Sequence, residues 1–232
     1  MADISTQELT IKTTEITGKD TDGAEVYRYR LMRIWDTKSR PLMVIGCNPS
    51  NASIINVDPT MNKVSCAAHA AGYGGIIMSN LFAFRTPSPS EMMKTERNKA
   101  PKGKHENFVY VIGKENALDL QEAATLVDDV VFAFGEIVKN TEWGKARQNA
   151  VETYAREVML AFHQERKNLF AFALNQSGYP QHPLYLKKNI EDKNGWERID
   201  NQNGKWVKLF NDRWIPMFKE DVFTNNAPYK KY

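Results

Sequence analysis

The sequence predicts a three-layer α/β/α domain on a mainly parallel four-stranded central sheet, with an N-terminal and a C-terminal β-hairpin. Three observations predict it. Four short, largely apolar runs, Leu42–Ile45, Ile76–Phe82, Val130–Phe134 and Leu169–Leu174, read as strands buried on both faces, the first of them unbroken. Stretches of helical periodicity separate them, the alternation that parallel pairing requires. Alternating polar and apolar residues with turn signals mark both ends of the chain.

At the N-terminal end, residues 1–40, Glu8–Ile16 alternates, Gly18–Gly23 (GKDTDG) makes a turn, and Glu25–Trp35 alternates again. Tyr27, Tyr29 and Leu31 share one face of that hairpin, and Arg28 and Arg30 the other. The core, residues 41–186, opens with Pro41–Asn51, PLMVIGCNPSN, a buried strand that breaks at Gly46 into a polar turn. Asp58-Pro59-Thr60 starts a helix with Met61, Val64, Ala68 and Ala71 at helical spacing, and Gly72-Tyr73-Gly74-Gly75 ends it. The second strand runs into Ala83-Phe84-Arg85-Thr86-Pro87. Ser88–Met93 then begins a short helix, with Ser88 and Ser90 as candidate caps.

Lys94–Lys114 is polar and basic and reads as a mobile loop or insertion outside the core. Asn116–Val127 is helical in period, Gly135 closes the third strand, and Trp143–Phe162 is a long amphipathic helix with Ala150, Tyr154, Val158 and Phe162 on one stripe. The fourth strand leads into Asn175–Leu186. In residues 187–232, Trp196–Trp214 reads as a hairpin with turns at Asn201–Gly204 and Asn211-Asp212, followed by a tail. The whole is expected to be one domain.

With 232 residues, 42% of them hydrophobic, the chain is long enough for a full core. It has no apolar window long enough to span a membrane, and its first ten residues, MADISTQELT, are no secretory signal. Cys47 and Cys66 make neither a disulfide framework nor a metal pattern. A cytoplasmic protein with no membrane association is expected. The net charge of +3 is unevenly placed: Lys94–Lys114 carries six basic residues, and Arg28, Arg30, Arg33, Lys38 and Arg40 crowd the approach to the first core strand. Lys99, Lys102 and Lys104 are candidate nucleic-acid contacts; the competing reading is a solvated face.

Ligands of open α/β sheets bind beyond the carboxyl ends of the strands. Three of the four ends here run into polar or proline-bearing loops: Gly46-Cys47-Asn48-Pro49, Asn80–Pro87 and Asn175–Pro183. The inventory gathered there is Cys47, Asn48, Asn51, Asn80, Arg85, Asn175 and His182, with Phe82, Phe84, Tyr179 and Tyr185. Amides read hydrogen-bonding edges, aromatic rings stack on flat ligands, and histidine or arginine stabilises an anion, so the set suits a planar polar ligand such as a nucleobase. There is no phosphate-loop or dinucleotide fingerprint, no HExxH, no CxxC pair and no GxSxG, so no cofactor or metal is expected. Of the four histidines, His182, flanked by proline at a strand exit, is the candidate for chemistry.

On the segments VIGCNPSNA, DPT, GYGGIIMSNLFAFRTPSP and GYPQHPLYL, spread from about Tyr27 to Leu186, the chain is identified as a member of the DUF1643 family of bacterial and phage proteins. More distantly it resembles the uracil-DNA glycosylase superfamily, which has a small parallel sheet between helices, a Gly-x-Asn-Pro-like loop after the first strand, an Asn ending a later strand and a His-Pro loop after the last. That resemblance implies a uracil-DNA-glycosylase-like fold in a bacterial host cell, acting on DNA or a nucleotide. It implies catalytic roles for Asn48, orienting water, and His182, stabilising the leaving base. Base contacts would come from Cys47, Asn51, Asn80, Phe82, Phe84, Arg85 and Tyr185. Ser50 stands where those glycosylases usually carry Gly, and Leu-Tyr-Leu follows His182-Pro183 in place of Ser. The expectation is hydrolysis of a nucleobase N-glycosidic bond, a modified base included. The alternatives are another base or nucleotide modification step, and a non-catalytic DNA- or partner-binding protein on the same fold.

Overall fold

A computed structural model describes residues 11–50, 59–100, 108–136, 145–186, 189–210 and 213–217. Its strands are β1 (Lys12–Lys19), β2 (Glu25–Ile34), β3 (Leu42–Gly46), β4 (Gly75–Asn80), β5 (Asp129–Phe132), β6 (Asn168–Ala171), β7 (Glu197–Gln202), β8 (Lys205–Phe210) and β9 (Arg213–Pro216). Its helices are α1 (Pro59–Ala70), α2 (Pro89–Lys99), α3 (Val109–Ile112), α4 (Asn116–Ala124) and α5 (Lys145–Gln164). Among the described residues no helix is long and apolar enough to cross a membrane.

The nine strands form one sheet in the order β1-β2-β4-β3-β5-β6-β7-β8-β9. Its centre is the set of four apolar runs: β3 pairs in parallel with β4 and β5, and β5 pairs in parallel with β6. The middles of these strands are apolar because both faces are covered, and their polar residues, Ser79, Asn80, Asp129 and Asn168, stand at the strand ends. Met43, Ile45, Ile77, Val130, Phe132 and Leu169 pack toward α2, α4 and α5. Leu42, Val44, Ile76, Val131 and Phe172 pack toward α1 and toward Leu186, Ile190 and Trp196.

The flanking hairpins are not appended to this sheet; they extend it. β2 pairs antiparallel with β4, and β7 with β6, so five of the eight ladders are antiparallel and the sheet as a whole is mixed. The C-terminal hairpin carries a third strand. Its first turn has Asn203 and Gly204 at φ 53° and 80°, the left-handed pair that a two-residue hairpin turn requires. Asn211 and Asp212 lie outside the described residues.

Two expectations are corrected. The described parts of Lys94–Lys114 are not a loop outside the core: α2 reaches Lys99, and Phe108 and Val111 are buried beside Met92 and Met93, while residues 101–107 lie outside the described residues. Polar composition hid a helix that buries only one narrow edge. The buried stripe of α5 is Val151, Ala155, Val158, Met159 and Phe162, rotated from the expected one, and Ala150 and Tyr154 are its partly buried margin. Where α2 and α1 begin and end follows local chemistry. The Ser88 hydroxyl accepts the Glu91 N–H at 3.2 Å ahead of Pro89, and Gly72 at φ 83° stops α1.

Candidate functional site

Gly46 and Asn80 end β3 and β4 as paired residues. A Cβ on Gly46 would stand 2.5 Å from Asn80 Oδ1 and 3.0 Å from Met78 Cε, so only glycine lets the Asn80 amide fold across the end of β3. The two strands stay zipped beyond their ends: the N–H groups of Leu81 and Phe82 donate to the carbonyls of Gly46 and Cys47 at 3.0 and 2.9 Å. Asn116, wholly buried on α4, donates from Nδ2 to the carbonyls of Asn80 and Leu81, which pins the exit of β4 from behind.

Asn48 is half-buried on the turn that follows. Its Nδ2 donates to the Thr86 carbonyl at 2.8 Å, while Thr86 N–H donates to the Pro49 carbonyl at 3.1 Å. The first of these bonds fixes which way the amide faces, and leaves Oδ1 as the acceptor. Cys47 is buried, and burial pushes its thiol up to about 12, so it is a packed side chain and no nucleophile at neutral pH.

His182 caps the 3₁₀ turn Pro183–Tyr185. Its Nδ1 accepts the Leu184 N–H at 3.4 Å, which places the proton of the neutral ring on Nε2. Its backbone lies against the exit of β5: a Cβ on Gly135 would be 3.6 Å from His182 Cβ, and Gly135 N–H donates to the Pro180 carbonyl. Lys63 of α1 donates to the Leu186 carbonyl at 2.7 Å and holds the far end of the same loop on the α1 face. Tyr185, 81% exposed, stands at the tip with its ring 5.6 Å from that of His182.

The exits of β4, β3 and β5 are therefore one contiguous edge. β4 and β5 flank β3 on either side, so their ends lie about 10 Å apart, twice the strand spacing. Asn48 follows the end of β3 and Asn80 ends the neighbouring β4, while His182 lies beside Gly135 beyond the end of β5. Asn51, Lys102 and Lys104 lie outside the described residues. Lys99 ends α2 in an exposed pair with Asp22 at 2.8 Å. Phe82 is fully buried, edge-on to Phe108 and beside Tyr154, and so belongs to the core. Phe84 packs with Tyr27 and Tyr110. Arg85 pairs with Glu15 and Glu25. Asn175 closes its own turn, accepting the N–H groups of Ser177 and Tyr179 at 2.9 Å.

One group near this edge had no obvious sequence signal. Glu152 of α5, 5% exposed, accepts from Arg156 Nε at 3.0 Å and lies beside the buried Tyr179 hydroxyl. Burial raises the Glu152 carboxyl and lowers the Arg156 guanidinium. The available clue was an i,i+4 acid–base pair inside an apolar stripe.

The fold and this edge define an α/β protein whose polar loops gather at the carboxyl end of a parallel core. The chain matches the family described as "Protein of unknown function (DUF1643)" over residues 28–184, more than half its length, and belongs to that family. No curated protein and no solved structure matches it.

Proposed function

We propose that the protein hydrolyses a nucleobase N-glycosidic bond in DNA or a nucleotide, in the manner of the uracil-DNA glycosylases. The observation that carries the reading is the joining of the three motif-bearing loops at one sheet edge: Asn80 folds over Gly46, Thr86 anchors Asn48, and Gly135 supports His182. In the reaction the C1′–N bond breaks with both electrons leaving on the base. Water bonds to C1′, and the proton it gives up ends on the departed base anion, so the products are the neutral free base and a sugar hydroxyl at C1′. Asn48 Oδ1, its direction set by the Nδ2 bond to Thr86, orients the water by accepting one of its hydrogens. His182 donates from Nε2 to the charge developing on the departing base, the place where a preorganised donor lowers the barrier most. Asn80 reads the base edge, and Tyr185 offers an exposed ring on which a base stacks.

The test follows base release from DNA and nucleotides carrying a panel of normal and modified bases, with thermal unfolding alongside. His182→Ala is expected to lower release on the order of a hundredfold to a thousandfold with little change in melting. Asn48→Ala is expected to match or exceed that loss, and also to cost about 1 kcal/mol of stability because the Thr86 carbonyl loses its donor. Unchanged release from either folded variant would remove the chemical step from this edge. Tight DNA binding with no release from any substrate would transfer the site to a non-catalytic binder.

A further inference from the structure

We propose that one water molecule is bound inside the fold, between β2, β4 and α4, by Arg30, Ser79, Asn116 and Asp119. The assignment goes beyond the hydrolysis proposed above and does not depend on it. Strand register sets the place. Arg30 of β2 lies directly opposite Ser79 of β4, two residues along from the pair Met32 and Ile77. That earlier pair packs in the same apolar cluster as Leu120 and Ala123 of α4. Residues two apart on a strand share a face, so Arg30 and Ser79 also face α4. The helix presents Asn116 and Asp119 to them, three residues apart and so on one side of α4. Asp119 Oδ1 is 3.0 Å from Arg30 Nε, and Asn116 Nδ2 donates to the carbonyls of Asn80 and Leu81, the two residues after Ser79.

All four side chains are deeply buried, Ser79 and Asn116 completely and Arg30 and Asp119 to within 7% and 6%. Their bonds to the rest of the fold leave four atoms over. Arg30 Nε, Ser79 Oγ, Asn116 Oδ1 and Asp119 Oδ2 are buried with no hydrogen-bond partner among the described residues. Arg30 Nη2 is engaged by Glu122 at 2.9 Å, and Nε, though close to Asp119 Oδ1, makes an ion pair without a hydrogen bond. Buried polar atoms are rarely left unpaired, and four at one junction of three elements call for a common partner. Their chemistry states which one. Arg30 Nε can only donate, Asn116 Oδ1 and Asp119 Oδ2 can only accept, and the Ser79 hydroxyl can do either. Water accepts two hydrogen bonds and donates two, which matches that set. Charge excludes the other small candidates. A cation would meet the Arg30 guanidinium and an anion the Asp119 carboxylate, each in desolvated surroundings. The bound water then completes the polar link that holds α4 behind the exit of β4.

A crystal structure at a resolution that shows ordered water tests the placement, and oxygen-17 relaxation dispersion counts long-lived internal waters in solution. The wild type should show a density peak within hydrogen-bonding distance of at least three of the four atoms. Ser79→Val, whose two methyl groups take up the hydroxyl's place and bond nothing, should lose about one long-lived water from the dispersion. Ser79→Ala, the milder change, removes one of the water's partners and should shorten its residence time severalfold while the melting curve confirms the fold. A wild-type crystal structure in which the four atoms pair directly with one another, or show no peak between them, overturns the assignment whatever the variants do. A dispersion identical in the wild type and both folded variants overturns it as well.

Discussion

Gly46 shows how a single missing side chain shapes the edge. The Asn80 amide occupies the volume a methyl group would fill, and both atoms in that path, Asn80 Oδ1 and Met78 Cε, are ends of side chains. Gly46→Ala should therefore cost little stability, on the order of 1 kcal/mol or less, because both neighbours can turn away. It should nevertheless abolish base reading as fully as Asn80→Ala does, since the amide is pushed from its seat. Melting curves and base-release rates of the two variants, run together, check this; a Gly46→Ala protein with full activity would show that the Asn80 orientation is immaterial. Asn48 is a second case in which a site residue also has a structural partner, Thr86. The motif itself was legible from residues alone, since Gly-x-Asn-Pro after an apolar run marks a strand exit. The partners were not, because Thr86 and Asn116 are distant in sequence and carry no pattern.

At the scale of elements, α3 is the clearest dependent. Four residues cannot hold a helix by their own bonds. Glu96 of α2, 1% exposed, accepts the Val111 N–H at 2.8 Å and also faces the N–H groups of Tyr110 and Val109. Glu96→Ala should cost about 2 kcal/mol, since it strands buried donors, and should speed hydrogen exchange at the Val109–Ile112 amides; Glu96→Gln keeps an acceptor and should spare both. Equal exchange in the two variants would mean that α3 stands without this cap. The sequence hid this unit because α2 is polar and buries only Met92, Met93 and Glu96, against Phe108 and Val111. It hid the arginines for a related reason. Alternation placed Arg28 and Arg30 on what looked like a solvent face, yet they are 5% and 7% exposed, paired to Glu15 and to Asp119 and Glu122. Alternation reports which residues share a face, and cannot report whether a neighbour carries the opposite charge. The four core strands were legible because burial on both faces leaves a short, largely apolar run. Their spatial order and the docking of both hairpins onto the same sheet depend on long-range packing that no local period encodes.

The whole molecule buries several carboxyls, and this sets its response to pH. Burial pushes Glu96 up to about 7 and, against the pull of Arg30, Asp119 up to about 6; it also raises Glu152. A carboxyl raised on folding binds its proton more tightly in the native state. The stability this brings is full below the unfolded value, near 4, and is lost as pH climbs through the folded value. For Glu96 the loss between pH 4.5 and pH 8 is on the order of 2–3 kcal/mol. Asp129 runs the other way. Burial raises it, but hydrogen bonds from Lys193, Tyr73 and Asn168 win and hold it below the usual range, so its contribution is present above about pH 4 and fades only in stronger acid. The two groups together should place the stability maximum near pH 5, at the acid end of the common range, with a fall of several degrees in melting temperature by pH 8. Thermal unfolding from pH 4 to pH 9 reads the curve. Glu96→Gln should flatten its upper arm and leave the acid arm unchanged, because the glutamine is neutral throughout. A wild-type curve that keeps rising to pH 8, or an upper arm untouched by Glu96→Gln, would show that the buried carboxylate finds enough compensation in the amides of α3 to ionise at no cost.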